Sequence, residues 1–304
     1  MLTALVGIIL IHSGFAQDQQ FYDPMFSDNA VYSDPDSAQQ EPEKVRVLDL
    51  SGRQLVELVL DFRRFTELRV LDLSNNSLRT LPAEIGRLER LQQLYLGNNQ
   101  LRQLPQTIGD LKHLKYLDVV SNRLDSLPDD LANLPVLEHL YLGGNRLAQF
   151  PAGMARLKKL RYLDISRNQL TEVPAVLRWL NALVSLDLSG NQIGMVPDYI
   201  RELSQLTVLN LSRNRITRLA PEVGALKSLE RLSLGNNQLA VLPDKFGNLN
   251  HLTHLDLSHN DFRWLPLPLQ KLWQLRQLDL QGNRISPEAI QKLRAILDGV
   301  LIKE

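Results

Sequence analysis

Three of the chain's six histidines fall in one short stretch, His251-Leu-Thr-His254-Leu-Asp256-Leu-Ser-His259. Alternate residues of an extended strand share a face, so His254 and Asp256 could hold one metal ion between them. Asp279, 23 residues further on, would add a second carboxylate. A metal-bound water there would attack an ester or amide, the chemistry of a metal-assisted hydrolase. The plainer reading makes His254 and Asp256 two ordinary variable positions that form a solvated, hydrogen-bonded pair. That is the expectation here: no metal, no cofactor and no catalytic residues. The sequence contains no G-x-x-x-x-G-K-[ST], H-E-x-x-H or G-x-S-x-G, the patterns that cradle phosphates, bind zinc on a helix or expose a nucleophilic serine. It also contains no cysteine, which removes thiol nucleophiles, thiolate metal sites and disulfides together.

Binding chemistry is better represented. Tyr95 and Tyr141 occupy one position of a 23-residue period, and Tyr116, His139 and Tyr162 occupy another. Tyrosine combines a large contact area with a polar tip and few rotatable bonds, which suits a binding hot spot. The alternative is a ladder of rings that stiffens a sheet through cross-strand contacts. Asp49, Asp72, Asp118, Asp164, Asp187, Asp256 and Asp279 share the period position of Tyr95. Such a column attracts a basic partner, or is simply a solvated face next to a turn. The expected partner-binding set is Tyr95, Tyr116, His139, Tyr141, Tyr162, Asp118, Asp164 and Asp187.

The elements that must position these residues follow from the period. Asn76, Asn99, Asn122, Asn145, Asn168, Asn191, Asn214, Asn237, Asn260 and Asn283 are each 23 residues apart without an insertion. Around each runs L-x-x-L-x-L-x-x-N-x-L, as in Leu68-Leu71-Leu73-Asn76-Leu78, and most are followed by L-P-x-x-I-x-x-L, as in Leu81-Pro82-Ile85-Leu88. One turn earlier, Leu48, Leu50, Leu55 and Leu58 fit the frame with Arg53 at the asparagine position, giving eleven repeats. Over about 45–286 the chain resembles the leucine-rich-repeat family, in the 23-residue class found in intracellular scaffold proteins and many bacterial repeat proteins. The resemblance implies an α/β repeat fold, a curved solenoid with parallel strands on the concave face and short helical or extended segments on the convex face. Exported animal and plant members usually close their ends with disulfide-bonded caps, so the lack of cysteine points to a bacterial-type member.

The physics of the repeat leads to the same fold. Leucines two apart share one side of a short strand, and a single coil cannot bury them without its neighbours. Asparagine after the strand can satisfy backbone groups where the chain turns inward, so the ten asparagines are expected to form a structural ladder. Proline at position 82 and its equivalents fixes φ for the first residue of an outer helical turn. Repeat eight has Ala220 before Pro221, and repeat ten has Pro266 and Pro268, which argues for an extended outer segment there. Phe62 and Phe65 mark 45–67 as an N-terminal capping repeat. Ser286-Pro287-Glu288 opens a C-terminal capping helix within 286–304, with Ile290, Leu293 and Leu297 as its buried stripe and Gly299 as its stop. Val300 and Ile302 then suit a final strand.

Ahead of the repeats, residues 1–16 hold an apolar run from Leu2 to Ile11 that is about half the length needed to span a bilayer. Followed by Gly14 and Ala16, it has the form of a signal peptide, although no Lys or Arg precedes it. Residues 17–43 carry seven acids and no base, with three prolines and scattered aromatics. That composition suggests a flexible acidic leader over 17–44, whose aromatics could dock on the solenoid or on a partner. The whole chain is neutral, with 34 Lys and Arg against 34 Asp and Glu. The repeats carry a mild positive excess that is too dispersed for a nucleic-acid footprint.

These observations predict a non-catalytic module, exported to the periplasm, cell surface or medium, that recognises a protein or peptide on its concave face. Nucleic acid, a membrane span and a defined oligomer are not indicated. A cytosolic scaffold with an uncleaved N-terminus is the alternative. If residues 1–16 are removed on export, the mature chain begins within a few residues of Gln17. N-terminal sequencing of the fractionated protein checks this, and an intact Met1 on cytosolic protein overturns it.

Overall fold

The computed structural model describes residues 31–304; the expected signal peptide and residues 17–30 of the leader lie outside this range. The first leucine of each L-x-L triplet centres a three-residue strand, and the strands stack in parallel and in register: Val47–Asp49, Val70–Asp72, Gln93–Tyr95, Tyr116–Asp118, His139–Tyr141, Tyr162–Asp164, Ser185–Asp187, Val208–Asn210, Arg231–Ser233, His254–Asp256 and Gln277–Asp279. The central leucines pair directly, Leu71 with Leu94 and Leu94 with Leu117. All are buried in one continuous core. With Val31–Tyr32 at one end and Leu301–Lys303 at the other, the sheet has 13 strands. The fold is a curved leucine-rich-repeat solenoid.

The asparagines behave as one device repeated along the chain. Asn168 Oδ1 accepts the Leu147 N–H at 2.9 Å, from the preceding coil. Its Nδ2 donates to Leu142 O of that coil at 3.0 Å. It also donates to Ile165 O and Ser166 O of its own coil at 3.2 and 2.9 Å. The same bridge recurs from Asn76 to Asn283. The residue just before each asparagine is left-handed, with φ of 57° at Asn75, 56° at Asn98 and 68° at Gly144. Asparagine and glycine tolerate this conformation best. Arg167, Arg213 and His259 also adopt it, with φ of 50°, 54° and 50°.

The outer segments are five-residue 3-10 turns. Ala83–Arg87 is typical: Ile85 N–H donates to Pro82 O at 3.1 Å, and Ile85 is fully buried. Proline stands one place ahead of the helical turn, with φ −66° and ψ 145°, and not at its first position as the sequence suggested. Among the outer turns of the asparagine-bearing repeats, only Pro221–Ala225 has proline at its first position. The extended segment expected in repeat ten is a further correction, because Leu267–Lys271 is the same 3-10 turn. Pro268 falls where a helical turn has no acceptor for an N–H, so its ring costs no hydrogen bond. Adjacent outer turns pack closely enough that a Cβ on Gly109 would collide with Asp130 O.

The N-terminal end corrects a larger expectation. Residues 31–44 are not a flexible leader. Val31 and Tyr32 pair in register with Val47 and Leu48, covering the edge of the first repeat strand. Helix α1, Pro35–Gln40, is capped by Asp34 Oδ2, which accepts the Ser37 N–H at 2.9 Å, and its Ala38 is fully buried. Pro42–Lys44 forms a further 3-10 turn with Pro42 buried. The cap therefore begins ahead of 45–67, where Phe62 and Phe65 do pack inward. An unpaired strand edge over leucines is costly enough that even polar chain is recruited to close it. At the other end, helix α2, Pro287–Ile296, is capped by Ser286 and buries Ile290 and Leu293; Gly299 at φ 77° then turns the chain into the last strand, where Ile302 is buried.

Removing a carboxamide that serves both coils leaves buried backbone groups unpaired. Asn168→Ala is expected to cost about 1–3 kcal/mol in urea unfolding. Asn283→Ala should cost less, since Asn283 is only half-buried and its Nδ2 has two partners. Equal losses at both sites would contradict a burial-dependent ladder.

Candidate functional site

On the concave face the residues flanking each central strand leucine project away from the core. Register places Tyr116 beside Gln93 and His139, and Tyr141 beside Asp118 and Asp164. The five predicted rings meet. Tyr95 and Tyr116 centroids are 4.9 Å apart, Tyr116 and Tyr141 5.3 Å, and Tyr116 and His139 5.5 Å. His139 stacks on Tyr162 at 4.5 Å with 7° between the planes. Every ring is half-buried, so the cluster is a floor with one open side. Two residues that the sequence did not single out complete it. Gln93 Oε1 accepts the Tyr95 hydroxyl at 3.1 Å, and the Arg161 guanidinium lies 5.8 Å from the Tyr162 ring. Gln93 precedes Tyr95 by two on the same strand, a spacing that could have exposed it. Burial pushes the Tyr116 hydroxyl upward in pKa, with Asp118 adding to the shift, and pushes His139 downward. Both shifts favour the uncharged forms of Tyr116 and His139.

The aspartates have a structural task. Oδ1 of Asp118 accepts the Val120 N–H at 2.8 Å, Asp164 that of Ser166 at 2.7 Å, and Asp187 that of Ser189 at 2.8 Å. Each closes the turn that follows its own strand. Asp187 also accepts Nδ2 of Asn210 through Oδ2, at 2.9 Å, so both its oxygens are engaged. Burial pushes Asp118 up to about 6. Asp164 is raised by burial and then by Asp187 on the next strand. Gly143 makes room for this carboxyl, since a Cβ there would lie 2.6 Å from Asp164 Oδ2. The solvated acidic face considered above is a poor description of these groups.

The histidine-rich stretch does not converge. His251 binds Lys227 O, His254 Nδ1 binds Thr253 Oγ1 at 2.9 Å, and His259 lies in a left-handed turn. Asp256 and Asp279 sit in register on adjacent strands, but Oδ1 of each accepts a backbone N–H. Among the described residues no group of three His, Asp or Glu side chains is arranged to hold a metal ion. Nor is any helix among them long and apolar enough to cross a membrane.

Known families and structures agree with this architecture. A family model described as leucine-rich repeat region matches residues 38–151, and leucine-rich-repeat models match 150–193, 203–262 and 275–293. The chain belongs to the leucine-rich-repeat family. No curated protein matches its sequence. Among solved structures, the repeat protein is similar to a TDR receptor, with 29% identity, a TM-score of 0.77, and coverage of 90% of this chain and 49% of the receptor. It is similar to the plant peptide hormone receptor RGFR1, solved in complex with RGF2, with 28% identity, a TM-score of 0.66, and coverage of 84% and 46%. The internalin InlF of Listeria monocytogenes shares the fold at 22% identity and a TM-score of 0.70, covering 87% of this chain and 82% of the internalin. The chain spans about half the length of these two receptors.

The aspartate position of the repeat yields a pH prediction. The folded state holds the Asp118 proton more tightly than the unfolded chain, whose aspartates titrate near 4. Its contribution to stability is therefore full below about pH 4 and is lost as pH rises through about 6. Asn210 occupies the equivalent position and accepts the Ser212 N–H through its amide oxygen, so asparagine can close the turn. Asp118→Asn should match the wild type at pH 4 and exceed it at pH 7 by on the order of 2 kcal/mol. Urea unfolding of both proteins at the two pH values measures the difference, and parallel pH profiles would rule the cause out.

Proposed function

We propose that this repeat protein is a non-catalytic, exported module that binds a protein or peptide on its concave face. The observation that carries the reading is the continuous floor of Tyr95, Tyr116, His139, Tyr141 and Tyr162, half-buried and in mutual contact across four strands. Rigid rings with one open side lose little entropy when a ligand packs on them, and tyrosine keeps a polar tip for hydrogen bonding. Asp118 and Asp164 border the floor, and burial, with Asp187 beside it, pushes the Asp164 carboxyl upward in pKa. The plant receptor RGFR1, whose structure contains RGF2, supports a peptide or protein as the class of ligand. The apolar run at 2–11 supports export. The side chains that a hydrolase would need, His254, Asp256 and Asp279, are engaged in local hydrogen bonds, which favours a binder over a hydrolase.

Peptides selected from a displayed random library against the wild-type chain supply the ligand for a test. Tyr116→Ala and Tyr162→Ala should each weaken the selected peptides by about 2 kcal/mol, roughly thirtyfold. Tyr116→Ala should also lower the melting temperature, because its ring touches Tyr95, His139 and Tyr141. Tyr162 meets only His139 among the rings, so its loss separates affinity from stability more cleanly. Tyr199 on the outer side, bonded to Val173 O, is the control. Lower stability with unchanged affinity in both variants would mean that the rings stiffen the sheet and the ligand binds elsewhere.

A further inference from the structure

The aromatic floor is bordered unequally. It continues towards the N-terminus into Val47 and Val70, which lie on the concave side of their strands yet are only 1% and 0% exposed. Among the described apolar side chains Tyr95 packs against this pair. The two valines and the rings form one apolar strip along the concave face, a groove with a charged border on each side. Along the edge where the strands begin, the residue before each strand is Arg69, Gln92, Lys115, Glu138 and Arg161 in successive coils, basic at three of five. None of these three bases is in an ion pair among the described residues. The opposite border is the aspartate column, whose members next to the floor, Asp118 and Asp164, are drawn towards the protonated form by burial.

A ligand matched to this groove is extended, carries aromatic side chains for the floor, and carries acids for the basic edge. Residues 17–30, QDQQFYDPMFSDNA, meet that description, with Phe21, Tyr22 and Phe26 among Asp18, Asp23 and Asp28 and no base. They also start from the right place. Val31 pairs with Val47, so the chain enters the cap strand level with Arg46, at the basic edge of the sheet. Fourteen residues reach up to about 46 Å when extended. From the cap strand to the strand of Tyr162 is six steps, or about 29 Å at the usual strand spacing.

We propose, building on the binding face described above, that residues 17–30 occupy the aromatic groove as an intramolecular pseudo-ligand, with Phe21, Tyr22 and Phe26 on the rings and the aspartates towards Arg69, Lys115 and Arg161. An external partner then has to displace this segment, and the one that does so shares its chemistry, an acidic peptide bearing aromatic residues. Basic peptides, which the aspartate column taken alone would favour, compete less well.

Because the chain has no cysteine, Gln20→Cys in the full-length protein takes a single nitroxide label. In tyrosine-labelled NMR spectra, the ring signals of Tyr95, Tyr116, Tyr141 and Tyr162 should broaden while Tyr199 stays sharp. Adding Lys115→Glu and Arg161→Glu should restore them. The triple variant Phe21→Ala, Tyr22→Ala, Phe26→Ala should raise the affinity of the library peptides described above by about tenfold, since the competing occupant is gone. Sharp concave tyrosines in the labelled wild type, or unchanged affinity in the triple variant, overturn the proposal. If the peptides still lose affinity on Tyr162→Ala in that event, the concave face remains a binding site and only its internal occupant is wrong. If they do not, both readings fall.

Discussion

A carboxamide that bonds to two coils at once holds the solenoid in register. Asn168 takes an N–H and gives a hydrogen to the coil before it while closing the turn of its own. These partners are backbone groups that a buried turn would otherwise leave unpaired, at a cost of about 1–3 kcal/mol each. The geometry works only if every coil presents the same groups at the same height. A strict 23-residue spacing follows, and with it the stacked leucines, the in-register strands and the close approach of the outer turns at glycines such as Gly109.

That rigidity shapes the concave chemistry. The two strand positions facing outward are the ones that neither the ladder nor the core uses, so they vary, and in four consecutive coils they hold tyrosine or histidine. The same stacking brings side chains 23 residues apart within contact distance. Residues suited to water, such as Asp164 and Asp187, are thereby pressed against one another. The sheet accommodates them by giving one oxygen of each to a turn amide and by placing glycine at position 143.

Much of this was legible in the residues. The period alone identifies the strands, the core, the ladder and the ring positions, because each depends on interactions between equivalent residues of adjacent coils. The C-terminal helix was legible from Ser286-Pro287-Glu288. The N-terminal one was not, although Asp34-Pro35-Asp36 has the same grammar of cap, proline and acid. There the surrounding composition, acidic and poor in apolar residues, outweighed a local signal that rests on one buried alanine and a strand of two residues. The turn-closing role of the aspartates was missed for another reason. A carboxylate that accepts from the amide two residues later looks identical in sequence to one that waits for a ligand. The helical state of Leu267–Lys271 was misjudged because proline was treated as a breaker where the first turn has no hydrogen bond to lose.

The reciprocal bridge between coils also bears on how such a chain changes over generations. The side-chain hydrogen bonds of each ladder asparagine reach only its own coil and the one before it, and they recur from Asn76 to Asn260. Excising one whole coil would bring two matching surfaces together and leave every bridge intact, while losing a single residue would misalign a turn and the asparagine that depends on it. Length in this architecture is therefore expected to vary by duplication and loss in units of 23 residues. Each such event would shift the tyrosine floor relative to the capped ends by one strand spacing, altering the reach of the surface without altering its chemistry.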